Sequence, residues 1–396
     1  MGNSSSRSAS LSATQSLGVS GKLSASTQSG RASQNFAAVV GVFVRAYENG
    51  TIGVPEIKSA IEALAEDLDR DPKLKEVVNF DFIAKLKDWK EGNKPMFTHV
   101  RLACYCAKEV YSLQTKQAID ERKKQGPSPQ TKLIAAEPVG LVGGGEASYM
   151  KNTKNWALFK DDKTNSLYFT VRGTSTTGIA TVIDNLTNLD ADAKLTTIFD
   201  TATEKQGQFK AHRGFLAVAE SMFPTTKPTI LNAAKGLSQK PTLVFCGHSA
   251  GGGTAFFLYH YFQIKTTQAE QDLFKDIHCI TFGSAAVASI PNPVHSKRTE
   301  DRILSFINLN DPVPRAEIPY AEWLAETLGR FLAKKKVPYS ALPKQTLYPG
   351  GELVLLGEGK EVVGKLDSTA LSGRAFLDLG AHDSSEYKRI VTELLQ

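Results

Sequence analysis

Short apolar runs with the composition of β-strands recur along the chain, each four to six residues long. Longer apolar stretches with helical spacing lie between several of them, for example Thr254 to Phe262. Strands that alternate with helices are typical of a largely parallel sheet covered by helices on both faces, so the pattern predicts an α/β fold. The predicted strands are Trp156–Lys160, Leu167–Arg172, Leu243–Cys246, Cys279–Phe282, Ile303–Asn308 and Glu352–Leu356.

The pattern divides the chain into three parts. Residues 95–396 form the predicted α/β domain, which begins with a helix over THVRLACYCAKEVYSLQ. Residues 36–94 are predicted to be a helical extension, in which Ile57, Ile61, Leu64 and Leu68 share one helix face. Residues 1–35 are Ser-rich and contain no aromatic or acidic residue. Such a segment buries too little apolar surface to offset its ordering entropy, so we expect a disordered tail.

Composition and charge exclude several classes of function. The net charge of +6 is spread along 396 residues without a dense basic helix, which argues against nucleic acid as a partner and leaves a modest attraction to anionic membrane surfaces. No apolar run is long enough to cross a bilayer. The four cysteines include no C-x-x-C pair and are expected to be buried free thiols of a reducing compartment.

The segment VFCGHSAGGG carries the first candidate for chemistry, Ser249. A strand precedes this serine, a buried helix follows it, and Gly247 and Gly251 flank it, as in a nucleophile elbow. Two other interpretations stay open from this segment alone. Ser249 could cap the following helix, or the glycines could cradle a phosphate, although no Gly-Lys-Ser/Thr follows them.

A serine nucleophile needs a base and an orienting carboxylate, which follow it in the order acid then histidine in elbow enzymes. Of the seven histidines, His382 alone lies near the C-terminus, before a predicted helix. Asp311 ends the strand run ILSFINLND and precedes a proline, at the strand end where a doubly wound sheet places functional groups. The rival acids are Asp367, Asp378 and Asp383, and Asp383 is disfavoured because it adjoins the histidine.

A tetrahedral intermediate also needs donors for its oxyanion. The backbone N–H of Ala250, directly after the nucleophile, is one candidate. Thr174 in the loop VRGTSTTG is the other, through its N–H and its hydroxyl. The sequence has neither an H-E-x-x-H motif nor a cluster of cysteines and histidines, so we expect no metal and no organic cofactor.

The motifs YFTVRGTST, HRGF, GHSAGG, TFG, NDPVPR and a late histidine followed by tyrosine together resemble the class 3, or fungal-type, lipases. They keep the order of that family from about residue 95 to the C-terminus. The resemblance implies an α/β-hydrolase fold and hydrolysis of acyl esters in glycerolipids. It implies Ser249 as nucleophile, Asp311 as acid, His382 as base and Thr174 as side-chain oxyanion donor.

This chain departs from the family pattern at several positions. Ala250 replaces a bulkier apolar residue, and Ser284 to Val287 replace Pro-Arg-Val-Gly. The aromatic residue that is common near Asp184 is absent. Because the family's lid follows the RGT segment, residues 175–186 are the predicted lid. A lipase-like scaffold that binds partners without hydrolysis is the alternative to an enzyme.

The opening MGNSSS matches the pattern for N-myristoylation of Gly2, with Ser6 at the required position. One acyl chain gives marginal membrane binding, to which Arg7, Lys22 and Arg31 could add. This interpretation predicts a cytoplasmic protein that associates peripherally with membranes. A Ser-rich, acid-poor start also fits an organellar transit peptide or the secretion signal of a translocated effector.

Overall fold

A computed structural model describes the greater part of the α/β domain and short segments that precede it. The described residues are 63–72, 74–78, 86–113, 115–125, 131–137, 154–173, 194–196, 209–290, 298–332, 334, 340–357, 362–378 and 380–395.

An eight-stranded mixed sheet forms the centre of the described structure, in the order β1-β2-β3-β6-β7-β8-β9-β10. The neighbours from β3 to β9 pair in parallel, and the strands at the two edges pair antiparallel. A second, two-stranded sheet joins β4 to β5. The strands are β1 Lys132–Glu137, β2 Trp156–Asp161, β3 Ser166–Val171, β4 Lys194–Thr196, β5 Phe209–Ala211, β6 Thr242–His248, β7 Ile277–Phe282, β8 Ile303–Asn308, β9 Glu352–Gly357 and β10 Val362–Leu366.

Six helices of nine residues or more accompany these strands among the described residues. They are α1 Phe97–Glu109, α2 Lys116–Lys124, α3 Arg213–Lys235, α4 Ala250–Lys265, α5 Ile318–Leu332 and α6 Ser384–Leu394. Residues 63–70 are also helical. The shorter helical segments are Lys75–Val78, Lys94–Met96, Val110–Ser112, Gln268–Gln271, Val313–Arg315, Ser368–Ser372 and Gly380–His382. None of the helices in the described part is both long and apolar enough to cross a membrane.

The central strands β6, β7 and β8 are buried along their whole length, which explains why they are mainly apolar rather than alternating. Leu243 and Phe245 of β6 point into a core formed with α3 and α4. Val244 and Cys246, between and after them, point into a second core formed with α1 and α6. The two-residue period of a strand thus divides one apolar run between two helical layers.

Described parts of the N-terminal region pack against the α/β domain. Trp89 is fully buried, donates its backbone N–H to the Val363 carbonyl at 2.7 Å, and meets the ring of Phe306 edge-on. Leu64 and Leu68 belong to an apolar cluster with residues of α5. These contacts bury one face of the helix at residues 63–70, as its apolar spacing predicts.

The predicted α/β architecture is confirmed, and each of the six predicted strands is present with its ends moved by two residues at most. Four observed strands were not predicted: β1, β4, β5 and β10. The stretch Lys123–Lys132, predicted only to be polar, includes the end of α2 and the start of β1. All four cysteines are free and buried, as predicted. The tail at 1–35, the lid at 175–186 and most of the extension at 36–94 lie outside the described residues.

Candidate active site

The turn between β6 and α4 holds Ser249 in a conformation that side chains rarely adopt, with φ 59° and ψ −133°. Two neighbouring glycines make this turn possible. A Cβ atom on Gly247 would lie 2.5 Å from the Gly251 carbonyl carbon, and one on Gly251 would lie 2.7 Å from the Arg172 carbonyl carbon. The close approach of backbone to backbone on both sides therefore requires glycine, and the turn has the form of a nucleophile elbow.

Three side chains from separate parts of the chain form one hydrogen-bonded row. The Ser249 hydroxyl lies 2.9 Å from His382 Nε2, and His382 Nδ1 lies 2.9 Å and 3.0 Å from the two carboxylate oxygens of Asp311. All three residues are buried, with at most 5% of their surface exposed. The arrangement is that of a nucleophile, a base and an orienting acid.

Asp311 is fully buried, and each of its oxygens receives a further donor in addition to His382. The Tyr387 hydroxyl donates to Oδ2 at 2.6 Å, and the Val313 backbone N–H donates to Oδ1 at 2.9 Å. A buried carboxylate needs such donors, because burial otherwise removes its hydration without replacement. Burial, followed by the nearby Asp311 charge, raises the pKa of Tyr387 well above its ordinary value, so the phenol stays a donor.

The turn that carries the base is held from two strand ends. His382 belongs to a short 3₁₀ segment, Gly380–His382, directly before α6. Asn308, the last residue of β8, donates its side-chain N–H to the Ala381 carbonyl at 2.9 Å. His248, the last residue of β6, contacts the His382 carbonyl through Nε2 at 2.8 Å. Two successive carbonyls at the base thus each bond a side chain fixed to the central sheet.

Of the two predicted oxyanion donors, the structure describes Ala250 and not Thr174. Ala250 is the first residue of α4, where a backbone N–H has no acceptor one turn earlier in the helix. This N–H is therefore available to an oxyanion on the carbon attacked by Ser249. Thr174 lies just outside the described residues, but Gly173 before it approaches the site closely. A Cβ on Gly173 would lie 2.7 Å from the His248 carbonyl oxygen and 3.3 Å from the Ser249 Cβ.

The rival acids lie in other roles or places. Asp383 caps α6 by accepting the Ser385 backbone N–H at 2.6 Å, and Asp378 accepts the Gly380 N–H at 2.8 Å. The interpretation of Ser249 as a helix cap gains no support, because its side chain makes no capping bond to α4 and instead reaches His382. Gly2, the predicted acylation site, lies outside the described residues.

Sequence reasoning missed four residues that support this row: Tyr111, His248, Asn308 and Tyr387. His248 lies inside the elbow motif and Tyr387 follows the base in the family pattern. The sequence motifs therefore contain both residues, but they assign neither a function. Tyr111 and Asn308 carried no signal, because each acts across more than 70 positions of sequence. In the described part of the chain no cluster of three or more histidine, cysteine or carboxylate side chains could hold a metal ion.

A family model described as Lipase (class 3) matches residues 168–320. The matched segment includes Ser249, Asp311 and Thr174, and it ends before His382. The hydrogen bonds place His382 beside Ser249 and Asp311. No curated protein sequence matches the chain.

Several solved lipase structures are similar to this chain at low identity. The triacylglyceride lipase of Rhizomucor miehei is 16% identical, with a TM-score of 0.46 over 78% of this chain and 99% of that one. Lipase II from Rhizopus niveus is 15% identical, with a TM-score of 0.46 over 74% of this chain and 93% of that one. The Lip2 lipase of Yarrowia lipolytica is 17% identical, with a TM-score of 0.40 over 68% of this chain and 80% of that one.

Proposed function

We propose that this chain, whose residues 168–320 match the class 3 lipase family model, is a carboxylic ester hydrolase that cleaves acyl esters of glycerolipids. The observation that carries the proposal is the hydrogen-bonded row from Ser249 through His382 to Asp311. The strained elbow adds to it, since a serine that only capped a helix would not need positive φ.

In the proposed reaction His382 Nε2 accepts the Ser249 proton as the serine oxygen attacks the ester carbonyl carbon. Asp311 orients the ring and stabilises the imidazolium through Nδ1. The oxyanion forms beside the Ala250 N–H. The imidazolium then gives its proton to the leaving alcohol, which departs and leaves an acyl-serine. Water then attacks that ester as His382 accepts its proton, and the imidazolium returns the proton to the Ser249 oxygen as the acyl–serine bond breaks and the fatty acid leaves.

A fluorophosphonate probe tests the nucleophile without any assumption about the lipid. It is expected to label the wild-type chain and not Ser249→Ala. Ser221→Ala is the matched control, because Ser221 lies on α3 and its hydroxyl donates to the Ala217 carbonyl one turn earlier. Equal labelling of the wild type and Ser249→Ala would remove Ser249 as nucleophile. An unlabelled, folded wild type would favour the partner-binding scaffold instead.

The substrate is proposed to be either a neutral glyceride or a glycerophospholipid, and a lipid panel separates the two. Fatty-acid release should be measured from triacylglycerol, diacylglycerol and phosphatidylcholine under the same conditions, with Ser249→Ala as blank. Release from phosphatidylcholine alone would identify a phospholipase, and release from the glycerides alone a lipase. A burst of nitrophenol from a short nitrophenyl ester would report the acyl-enzyme.

We further propose that Gly2 is N-myristoylated and that the protein is cytoplasmic and associates peripherally with membranes. The support is the MGNSSS sequence and the nearby positive charges. Cells fed an alkynyl myristate should tag the wild type and not Gly2→Ala. An untagged protein whose N-terminus begins well inside the sequence would favour a transit peptide. An untagged protein with an intact N-terminus would also contradict the proposal.

A further inference from the structure

We propose that Tyr111 and His248 are positioning residues for the base, and that they link the His382 carbonyl to the backbone at Gly173. The inference rests on the proposed function. Neither side chain belongs to the row of nucleophile, base and acid, and Tyr111 precedes the segment matched by the family model.

Four groups form a continuous chain of hydrogen bonds. The Gly173 backbone N–H donates to the Tyr111 hydroxyl. The Tyr111 oxygen lies 3.0 Å from His248 Nδ1, and His248 Nε2 lies 2.8 Å from the His382 carbonyl oxygen. The chain thus begins next to Thr174, the predicted oxyanion donor, and ends on the residue that carries the base.

The direction of every hydrogen bond in this chain follows from its two ends. A carbonyl oxygen only accepts, so Nε2 of His248 carries the proton. In the neutral ring Nδ1 is then an acceptor, and the Tyr111 hydroxyl donates to it. Burial raises the pKa of Tyr111, which keeps this hydroxyl protonated. Tyr111 therefore selects the tautomer of His248 that can hold the His382 carbonyl.

His248 has to remain uncharged for this arrangement to serve catalysis. Its ring centroid lies 4.6 Å from that of His382, on which positive charge develops in the reaction. A second imidazolium at this distance would oppose that charge. Burial, followed by the neighbouring His382, lowers the pKa of His248 well below its ordinary value. The chain thus supplies a neutral donor to the base.

Gly173 fixes the other end of the chain by its lack of a side chain. Its backbone is packed so closely against Tyr111 and the His248 carbonyl that a Cβ would collide with both. These contacts fix the positions of three parts of the site relative to one another. The parts are the end of β3 before the predicted oxyanion donor, His248 before the nucleophile, and His382. A shift of the His382 peptide would have to break the His248 bond.

Two substitutions at position 248 separate the two bonds of that ring. In His248→Gln the amide N–H lies near the former Nε2, so the bond to the His382 carbonyl is kept while the acceptor for Tyr111 is lost. In His248→Asn the shorter amide reaches the former Nδ1, so the Tyr111 contact is kept while the carbonyl loses its donor. Asparagine is one methylene shorter than glutamine and leaves more space at this buried position, so the melting temperature of each variant is needed to measure its packing loss.

The measurements are the fluorophosphonate inactivation rate, kcat and KM on a soluble short-chain ester, and the melting temperature of the full chain. We expect His248→Asn to lower the inactivation rate and kcat about tenfold, the order of one lost hydrogen bond, with KM unchanged. His248→Gln should stay within about threefold of the wild type at a similar melting temperature. Tyr111→Phe should lower kcat about threefold, and adding it to His248→Asn should cause little further loss.

Three results would overturn the inference while the proposed function stands. His248→Asn could react as fast as the wild type. The Gln and Asn variants could lose activity equally and in step with stability, which indicates packing alone. The losses of Tyr111→Phe and His248→Asn could multiply in the double variant, which indicates independent effects. A wild type that takes no probe would overturn the proposed function, and this inference with it.

Discussion

Mild acid is expected to destabilise the fold through histidines that are buried without charge. His260 and His278 lie within the core at 0% and 4% exposure, and burial lowers the pKa of each to about 3. His248, also 4% exposed, has a pKa well below its ordinary value for the same reason. In the unfolded chain all three titrate near 6.5. At pH values between the lowered pKa of the folded state and the ordinary pKa of the unfolded state, the unfolded state binds more protons than the folded state.

The sign and the size follow from that difference. Stability rises with pH wherever the unfolded state holds more protons, so it falls as pH drops below about 6.5. Between about pH 7.5 and about pH 5.5 each such histidine costs about 1.4 kcal/mol of unfolding free energy. For His248, His260 and His278 together the loss is about 4 kcal/mol, a large part of the roughly 5–15 kcal/mol of a typical domain. His99, also of lowered pKa, is half-buried and adds less.

Urea unfolding followed by tryptophan fluorescence at several pH values measures this loss, with the slope in urea held constant across the series. Carboxylates interfere little, because they titrate mainly below this window. His260→Phe provides a variant in which one contribution is removed, in a helix where Phe256 and Phe257 already pack nearby. The substitution also changes packing and with it the stability at neutral pH, so the pH dependence is the informative quantity.

The wild-type loss should exceed that of His260→Phe by about 1.4 kcal/mol over the same two pH units. A wild-type unfolding free energy that changes by less than about 1 kcal/mol across this window would refute the reasoning, because three neutral histidines could not then be buried in the fold. Identical pH dependence in the wild type and His260→Phe would show that His260 titrates normally in the folded state.

Two further substitutions test the site. Tyr387→Phe removes the donor to Asp311 and should lower the free energy of unfolding by about 2–3 kcal/mol and kcat about tenfold, with KM unchanged in initial-rate assays. The matched control is Tyr168→Phe, because Tyr168 is a buried tyrosine of β3 whose hydroxyl lies 3.0 Å from His99 Nδ1 and not at the acid. It should lose about 1 kcal/mol and leave kcat unchanged, and an equal loss of kcat in both variants would contradict a role for the phenol at the acid. Gly251→Ala should lower fluorophosphonate labelling at least about tenfold through overlap with the backbone after β3, whereas Gly236→Ala, with no atom nearer than 3.6 Å, should label normally.

The part of the fold that the sequence predicts is the part in which neighbouring residues decide the outcome. The strands β6, β7 and β8 are buried on both faces, so each is a continuous apolar run with visible ends. The elbow is equally local, since the glycines that allow the turn lie two residues from Ser249. Asp311 and His382 followed from a rule on chain order, and the hydrogen bonds bring both to the serine.

The missed elements depend on partners that are distant in sequence. Strand β10, VVGKL, has five residues interrupted by a glycine and a lysine, and it forms because it pairs antiparallel with β9 and bonds Trp89 from the N-terminal region. Strand β4 has only three residues and pairs antiparallel with β5. Neither has an internal pattern strong enough to separate it from a turn, because each is defined by pairing with a neighbouring strand.

The same division runs through the candidate site. The nucleophile is fixed by its own turn, whereas the base stands on a short 3₁₀ segment after an edge strand, where local structure alone gives little rigidity. Its geometry must therefore come from outside, and the bonds that supply it end on the most rigid elements nearby. Asn308 and His248 are the last residues of two central strands, and they hold the carbonyls of residues 381 and 382. A base that is positioned by its neighbours, and not by its own segment, is the arrangement in which substitutions at those neighbours should change kcat before they change substrate binding.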